Sequence, residues 1–246
     1  MRSEPKSLRY WWEVAELTAL GLVTRCLDAL CLLPRPRLLL AYARLLIAHL
    51  RWSPYRWPRS FEAVRERSAA GQSEAELVYG ETPVFSAWLL WRRAKLGASS
   101  RFVDLSAGRG RPLIGARAIT AHVVGYELIE ERASRSRAAL ARVGIELRTG
   151  DATAADLSGF DMAYVTWTGF SPALRERFEF AARTLPDGAC LVTADAPVLG
   201  AGFREIRCVE AWCTWGSVPV WIYERDRSLD IAVTNERRLD TRDQRR

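Results

Sequence analysis

The stretch from Arg101 to Glu127 constrains the fold more than any other part of the chain. It contains the short apolar run FVDL, the turn sequence AGRG at 107–110, a helical segment, a second apolar run and then the acid Glu127. A short apolar run is typical of a buried parallel strand, and glycine lets backbone and ligand approach closely. A carboxylate after the second strand can accept hydrogen bonds from both hydroxyls of a ribose. We therefore expect a pocket for a ribose-bearing cofactor.

The spacing of the glycines indicates which kind of cofactor suits this pocket. A dinucleotide-binding fingerprint needs glycine at all three positions of G-x-G-x-x-G, and the third position here is Leu113. Asp104, at the end of the first strand, adds a negative charge that disfavours a pyrophosphate nearby. A cofactor with a cationic amino-acid end fits better. The alternative is an α/β domain in which the turn at 107–110 merely reverses the chain.

Size and charge limit the classes of function. The chain has 246 residues, 49% of them hydrophobic, which suffices for one sizeable core with an appendage. Its net charge is +7, and residues 1–75 hold 12 basic and 7 acidic side chains, so acidic surfaces are the favoured partners of that end. The arginines are scattered among apolar residues, so a nucleic-acid partner is not expected.

Cysteine and histidine usage bears on compartment and chemistry. The five cysteines include no C-x-x-C pair and are typical of free thiols in a reducing cytoplasm. No cleavable signal is expected, because Glu13 and Glu16 interrupt the first apolar run. His49 and His122 are the only histidines, so we expect no metal site, and a Ser-His-Asp triad is poorly supported. These patterns favour a cytoplasmic protein.

Residues 9–50 are rich in leucine and predict two amphipathic helices, Leu8–Leu33 and Leu38–Leu50, separated by prolines. Charged residues interrupt both, so neither reaches the roughly 18 uncharged residues of a membrane-spanning helix. Tryptophans lie beside arginines at the outer ends of the pair, a pattern typical of helices at a membrane surface. Residues 1–57 are therefore either a peripheral membrane anchor or a helical cap on the rest of the chain.

Helices and strands alternate after this segment and end in an antiparallel hairpin. Thr82 is placed to cap a helix with Pro83 at its first position, and Val84, Trp88 and Trp91 would form the buried stripe of that helix. We predict a first strand at 102–105, a second strand that ends at 127, and further strands at 145–148, 161–167, 189–194, 203–214 and 218–223. Helices are predicted at 128–143 and from 171 onward.

The alternation of strands and helices predicts where a ligand would bind. In an open α/β sheet the ligand lies beyond the carboxyl ends of the strands, where the strand order reverses. The loops after the first four strands must therefore supply the pocket. These loops contribute Ser106–Gly110, Glu127, Asp151 and Thr166–Trp167.

Several of these segments resemble known methyltransferases. The first strand and its turn resemble motif I of the class I S-adenosylmethionine (SAM) methyltransferases, Glu127 their ribose-binding acid, and Asp151-Ala152 their adenine-edge pair. The series VYGET, VDLSAGRG, GYE, GDA and VTWTGFSP resembles the non-SET histone-lysine methyltransferases, the disruptor-of-telomeric-silencing family, over about Val78 to Pro197. The resemblance implies an α/β fold with a seven-stranded, mostly parallel Rossmann-like sheet.

The resemblance also implies a domain organisation and a cofactor. We expect an N-terminal helical extension at 1–70, a SAM-dependent methyltransferase domain at 71–230, and a charged, disordered tail at 231–246. In that family the YGET loop folds over SAM. The residues expected to bind SAM are Tyr79, Glu81, Thr82, Asp104, Ser106, Ala107, Gly108, Gly110, Glu127, Leu128, Asp151, Ala152 and Thr166.

The expected methyl acceptor is a protein lysine. An aromatic channel would keep its amine dry and neutral, and Tyr79, Trp167 and Phe170 are the candidates for its wall. One departure is that the family usually has two asparagines where this chain has Thr166 and Trp167. A small-molecule acceptor in the same pocket is the alternative, and a non-catalytic interaction module is an alternative of another class.

A weaker resemblance concerns the lysine methyltransferases of the ATP-synthase c subunit. Those enzymes pair a similar minimal sheet with an N-terminal membrane-targeting segment and a W-x-Y-like last strand, which Trp221 to Tyr223 resemble. This likeness fits the tryptophan-edged helices at the start of the chain and the peripheral membrane location that they suggest.

Overall fold

The computed structural model describes residues 8–50 and 80–230. Tyr79, the expected domain boundary near residue 70 and the expected disordered tail at 231–246 lie outside the described residues. The helices are α1 (Leu8–Leu32), α2 (Pro36–Leu50), α3 (Val84–Arg93), α4 (Arg111–Arg117), α5 (Glu130–Ala141) and α6 (Pro172–Ala182). The strands are β1 (Arg101–Asp104), β2 (His122–Glu127), β3 (Ile145–Thr149), β4 (Met162–Thr166), β5 (Cys190–Ala194), β6 (Phe203–Cys213) and β7 (Gly216–Arg225).

All seven strands form one sheet in the order β3-β2-β1-β4-β5-β7-β6. Strands β1 to β5 are parallel, with Val103 of β1 opposite both Val124 of β2 and Ala163 of β4. Strand β7 runs antiparallel between β5 and β6. The predicted fold class is thereby confirmed, and the strand order reverses between β1 and β4, beside the turn that follows β1.

The central strands are buried on both faces, as parallel strands covered by helices must be. On one face, Trp91 of α3 and Leu113 of α4 belong to the same apolar cluster as Leu32 and Tyr42 of the first two helices. On the other face, Val103 of β1 clusters with side chains around α6. The N-terminal helices therefore share a core with one face of the sheet.

Helix α3 differs from the prediction in its cap and in its stripe. It begins at Val84, after Pro83, and Thr82 does not cap it. The hydroxyl of Thr82 instead lies 2.8 Å from the hydroxyl of Tyr164 on β4. Val84 and Trp91 are fully buried as expected, but Trp88 is only half-buried, because it lies at the protein surface under the guanidinium group of a neighbouring arginine.

Helices α1 and α2 pack against the α/β part of the chain. Asp28 of α1 pairs with Arg111 of α4, and Nε2 of His49 on α2 lies 3.0 Å from Oγ of Ser136 on α5. Burial lowers the pKa of His49 to about 4, so its ring is neutral in this contact. Of the helices in the ranges 8–50 and 80–230, none has the length and apolarity needed to cross a membrane.

Candidate functional site

A cleft opens at the carboxyl ends of β1 to β4, where the order of the strands predicts a ligand site. The loops after these four strands, the segment before helix α3, the helix α6 and the β6–β7 turn all contribute to it. The lining residues are Gly80, Glu81, Thr82, Leu105, Ser106, Ala107, Gly108, Pro112, Glu127, Leu128, Ile129, Arg132, Gly150, Asp151, Ala152, Thr166, Thr168, Phe170, Leu174, Arg177, Phe178 and Trp215.

The turn after β1 is fixed to both neighbouring strands. The Leu105 amide donates to the carbonyl of Tyr164 on β4, and the Ala107 amide donates to that of Tyr126 on β2, each at 2.8 Å. Ser106 Oγ accepts a hydrogen bond of 2.9 Å from the amide of Thr166. The expected cofactor residues Ser106, Ala107 and Gly108 therefore line the cleft in a turn that hydrogen bonds hold to both neighbouring strands.

Gly110 supports this turn without lining the cleft. Its φ of 90° lies in the left-handed region, and it forms the N-cap of helix α4. Gly125 on β2, which the sequence did not single out, has a related task. A β-carbon there would lie 2.8 Å from Cβ of Ala107, so only glycine lets the turn lie this close to β2.

Asp104 lies beneath the turn and is fully buried. Its Oδ1 accepts a hydrogen bond of 2.9 Å from the Ser106 amide, whereas Oδ2 has no hydrogen-bond partner among the described residues. Burial raises the pKa of Asp104 to about 7; the Ser106 hydrogen bond opposes this, and the nearby charge of Glu127 adds to it. Asp104 was expected to bind SAM; it does not line the cleft, and it holds from below the turn that does.

Glu127 is buried at the end of β2 and lines the cleft. Its Oε1 accepts a hydrogen bond of 2.8 Å from the Ile129 amide and lies 3.6 Å from Nη1 of Arg132. These contacts fix the carboxylate at the edge of the sheet, where it has acceptor capacity left for ligand hydroxyls.

Asp151 and Ala152 follow β3 on the same side of the cleft as Glu127. Asp151 is half exposed, and its Oδ1 accepts from the Thr153 amide at 2.9 Å. Its Oδ2 lies 2.7 Å from Nη2 of Arg177 on helix α6. Arg177 was missed by sequence reasoning, because nothing in the sequence indicates that α6 reaches the loop after β3.

The segment Gly80–Thr82 forms another wall of the cleft. Its backbone pairs with the β6–β7 turn, since the Thr214 amide donates to the Glu81 carbonyl at 2.9 Å and the Glu81 amide donates to Thr214 Oγ1 at 3.0 Å. The Glu81 carboxylate is turned into the protein, where Arg109 Nε donates to it at 2.6 Å and Arg111 Nη1 at 3.2 Å. Glu81 thus reaches the cleft as expected, with its charge already neutralised.

Aromatic side chains line the remaining wall. Phe170 lines the cleft as expected and stacks on Phe178, with 5.3 Å between the ring centres. Trp215 in the β6–β7 turn also lines it and packs so closely on Gly80 that a β-carbon there would lie 2.2 Å from the indole ring. The expectation that Trp167 is part of the wall is wrong. Trp167 is 1% exposed, and its Nε1 donates to the Ala196 carbonyl at 2.7 Å in the core.

Two hydroxyl groups lie beside this aromatic wall. Thr166 Oγ1 donates to the Tyr164 hydroxyl at 2.7 Å, so the Thr166 oxygen can still accept a hydrogen bond. Thr168 Oγ1 is buried and has no hydrogen-bond partner in the described part of the chain. A buried hydroxyl without a partner is costly in a folded protein, so Thr168 marks a place where a polar ligand atom would be stabilising.

The titratable groups around the cleft are carboxylates and arginines. Within the described residues, no histidine, cysteine, lysine or tyrosine lines the cleft. No group of three or more histidine, cysteine, aspartate or glutamate side chains in the described ranges is arranged to hold a metal ion. The arrangement suits binding and orientation of a ligand with hydroxyl groups and with a flat or apolar part.

Comparison with known proteins identifies the fold. No protein-family model matches this sequence, and no curated protein sequence matches it. Among solved structures, an RNA methyltransferase from Salinibacter ruber in complex with S-adenosyl-L-homocysteine is similar, with a TM-score of 0.50 and 21% identity over 61% of this chain and 95% of that one. The chain has the fold of the class I SAM-dependent methyltransferases.

A second methyltransferase structure agrees with the first. TrmN from Thermus thermophilus also has a TM-score of 0.50 and 21% identity, covering 61% of this chain and 51% of that one. At such identities the likeness concerns the methyltransferase fold, and the resemblances to the histone-lysine and c-subunit lysine methyltransferases stay predictions.

Proposed function

We propose that this chain is a SAM-dependent methyltransferase. The observation that carries the proposal is the placement of Glu127 at the end of β2, beside the rigid turn Ser106–Gly108 and the pair Asp151-Ala152, in one cleft of a methyltransferase fold. A ribose needs a fixed carboxylate, an adenine needs a hydrogen-bond acceptor beside a flat apolar surface, and an amino-acid end needs backbone donors and acceptors. The cleft offers all of these.

The residues present fit SAM. Glu127 would hold the ribose hydroxyls, Asp151 and Ala152 the adenine edge, and the segments Gly80–Thr82 and Ser106–Gly108 the amino-acid end. When bound, SAM would supply a methyl group on a positively charged sulfur: the acceptor would attack the methyl carbon in line, and the neutral thioether would be the leaving group. The protein therefore has to align the acceptor and exclude water, and it needs no dedicated acid or base.

For the acceptor, we propose a lysine side chain of a protein. The support comes from Phe170 and Trp215, which give the cleft an apolar aromatic wall, and from the hydroxyl of Thr168 beside it. A lysine amine has a pKa of about 10.4 in water and must be neutral to react. An aromatic wall disfavours the charged form, and a threonine oxygen can accept one N–H bond while the nitrogen lone pair points elsewhere.

Calorimetry with SAM tests the cofactor. We expect the wild type to bind SAM and Glu127→Ala to bind it at least about tenfold more weakly, since hydrogen bonds to a charged group contribute about 1.5–3 kcal/mol. Glu131→Ala, an exposed acid on the following helix, serves as the matched control and should leave the affinity unchanged. Absence of SAM binding by the wild type would contradict the proposal and favour the non-catalytic interaction module.

The acceptor class is decided by the fate of a labelled methyl group. Cell lysate is incubated with the enzyme and with SAM labelled in its methyl group, then separated into protein, nucleic-acid and small-molecule fractions. We expect label in the protein fraction that survives nuclease and is recovered as methylated lysine after hydrolysis. Label that nuclease removes would indicate an RNA acceptor, and label confined to small molecules would indicate the alternative small-molecule enzyme.

We also propose that α1 and α2 bind the surface of an anionic membrane. Their outer side exposes large apolar side chains together with arginines, whereas the only acid between residues 18 and 49 is the buried Asp28. A groove at the α1–α2 turn is lined by Arg35, Arg37, Arg117 and Arg142 and by no acid of the described chain, which complements lipid phosphates. The large apolar residues exposed in this part of the described chain are Trp12, Leu22, Val23, Leu30, Leu33, Leu40 and Ile47.

Flotation with vesicles tests this membrane surface. We expect the full chain to float with vesicles that contain phosphatidylglycerol and to stay behind with pure phosphatidylcholine. The double variant Leu40→Glu/Ile47→Glu should lose flotation. Leu199→Glu, which alters an even more exposed leucine after β5, should retain it. Equal flotation of both variants, or none by the wild type, would contradict the membrane proposal and leave the methyltransferase proposal untouched.

A further inference from the structure

Asp28 is a fully buried charged residue on the leucine-rich helix α1. It lies 83 residues before its main partner in the chain. Its Oδ2 accepts a hydrogen bond of 3.1 Å from Nε of Arg111, and Nη2 of the same arginine also binds it. Burial raises the pKa of Asp28, and the charge of Arg111 opposes that rise. The contact with Arg111 therefore stabilises the ionised form of the Asp28 carboxyl against the cost of burial.

Arg111 connects Asp28 to Glu81, the wall residue of the cleft. Its Nη1 donates to Glu81 Oε2 at 3.2 Å, and Arg109 binds the same carboxylate through Nε and Nη2. All four side chains are at most 7% exposed, and the two acids balance the two arginines. Removing one member leaves the others buried without a full set of partners, which is costly in a low-dielectric interior.

Asp28 also holds the other end of the same segment. Its Oδ1 accepts a hydrogen bond of 3.0 Å from the amide of Phe85, so it caps helix α3 from a different helix. No side chain within α3 or at its N-cap performs this task. The stretch from Gly80 to Phe85 is thus fixed by Asp28 twice, once directly at Phe85 and once through Arg111 at Glu81.

We propose that Asp28 is a positioning residue of the cofactor site: α1 holds the segment Gly80–Phe85, through Arg111 and the Phe85 amide, in the conformation that binds SAM. The N-terminal helices are then part of the cofactor site. This inference rests on the proposed SAM-dependent function for its affinity readout. The positioning of Gly80–Phe85 itself is measurable without SAM.

Hydrogen exchange of the ligand-free full-length protein is the first test. In Asp28→Asn, which keeps the shape and removes the charge, we expect the peptide covering residues 80–90 to exchange about tenfold faster than in wild type. The matched control is Thr24→Val. Thr24 is equally buried one turn earlier on α1, and among the described residues its hydroxyl donates within its own helix, to the Gly21 carbonyl at 3.0 Å. Unchanged exchange at 80–90 in Asp28→Asn, or an equal change in Thr24→Val, would overturn the proposal.

Calorimetry with SAM is the second test. Asp28→Asn should weaken SAM binding about tenfold, and Thr24→Val should leave it within about twofold of wild type. If Asp28→Asn does not fold, Arg111→Lys replaces it, because lysine keeps the charge and loses the fork that joins two carboxylates. An Arg111→Lys protein with wild-type exchange at 80–90 and wild-type SAM affinity would refute the inference. If the wild type itself does not bind SAM, the proposed function fails, and the exchange result still decides the role of Asp28.

Discussion

Gly110 lies so close to Leu140 that a β-carbon on the glycine would be 2.6 Å from Cδ1 of the leucine. The contact joins the turn after β1 to helix α5, which covers β2 and β3. Gly110 also has a φ of 90°, which side chains with a β-carbon rarely adopt. Backbone conformation and packing therefore require glycine for independent reasons at this position.

Gly110→Ala should destabilise the protein more than the same change at a turn glycine that has open space around it. We expect a loss of about 2–4 kcal/mol in the free energy of unfolding, since the left-handed backbone and the overpacked Leu140 each contribute. Gly188→Ala is the control, because its φ is 77° but open space surrounds its β-carbon position. It should cost about 1 kcal/mol. Chemical denaturation measures both, and equal losses would show that the contact with Leu140 has no effect.

The strands and their order could be predicted because each signal is local or periodic. The runs at 101–104 and 162–166 are short, apolar and followed by turn residues, and parallel strands bring such turns to one edge. The residues Ser106, Glu127 and Asp151 were placed in the cleft on this basis alone. The sequence shows that each of these residues follows a strand, and the parallel sheet brings the ends of those strands together.

The remaining features depend on contacts between distant elements, which one sequence does not show. Trp167 was expected in the cleft beside Thr166, but successive side chains of an extended segment point to opposite faces, so Trp167 enters the core. Trp215 lies in a hairpin turn whose direction follows from the packing of β6 and β7. The one available signal for Asp28 was its charge in a leucine-rich helix, and nothing local names Arg111 as its partner.

Trp167→Phe tests its assignment to the core. The variant loses the hydrogen bond to the Ala196 carbonyl and some packing volume, so we expect a loss of about 2–3 kcal/mol in unfolding free energy. SAM affinity of the folded protein should stay within about twofold of wild type, because the side chain does not line the cleft. A normal stability combined with reduced methyl transfer would instead return Trp167 to the acceptor site.

Trp215→Ala should lower activity more than stability. The indole packs on Gly80 and lines the cleft, so its removal opens the wall to water and frees the Gly80–Thr82 segment. We expect methyl transfer to protein to fall at least about tenfold. Trp212→Ala is a matched control, because Trp212 lies three residues earlier and is 52% exposed on β6. Equal activity of the two variants would exclude Trp215 from the site.

Asp104→Asn should change the pH dependence of stability in a defined direction. Burial raises the pKa of Asp104 from 3.8 to about 7, so between these values the folded protein binds a proton that the unfolded chain releases. The stabilisation from this group is complete below pH 3.8 and is lost as pH rises through about 7. The asparagine variant cannot titrate, so its stability relative to wild type should rise as pH increases from 3.8 to about 7 and stay constant above that.

The pKa shift of Asp104 gives the expected size of this pH effect, and a second aspartate provides a control. The shift from 3.8 to about 7 corresponds to roughly 4 kcal/mol across the whole window. Urea unfolding of both proteins at several pH values measures it, and contributions from other groups, His49 included, cancel in the difference. Asp156→Asn is the control: hydrogen bonds from Ser158 lower the pKa of that exposed carboxyl below 3.8, so its stability difference from wild type should stay constant across this window. If the unfolding free energies of wild type and Asp104→Asn have the same pH dependence, the pKa of Asp104 is not raised in the folded protein. Asp104 would then be ionised beneath the turn and could attract the cationic end of the cofactor directly.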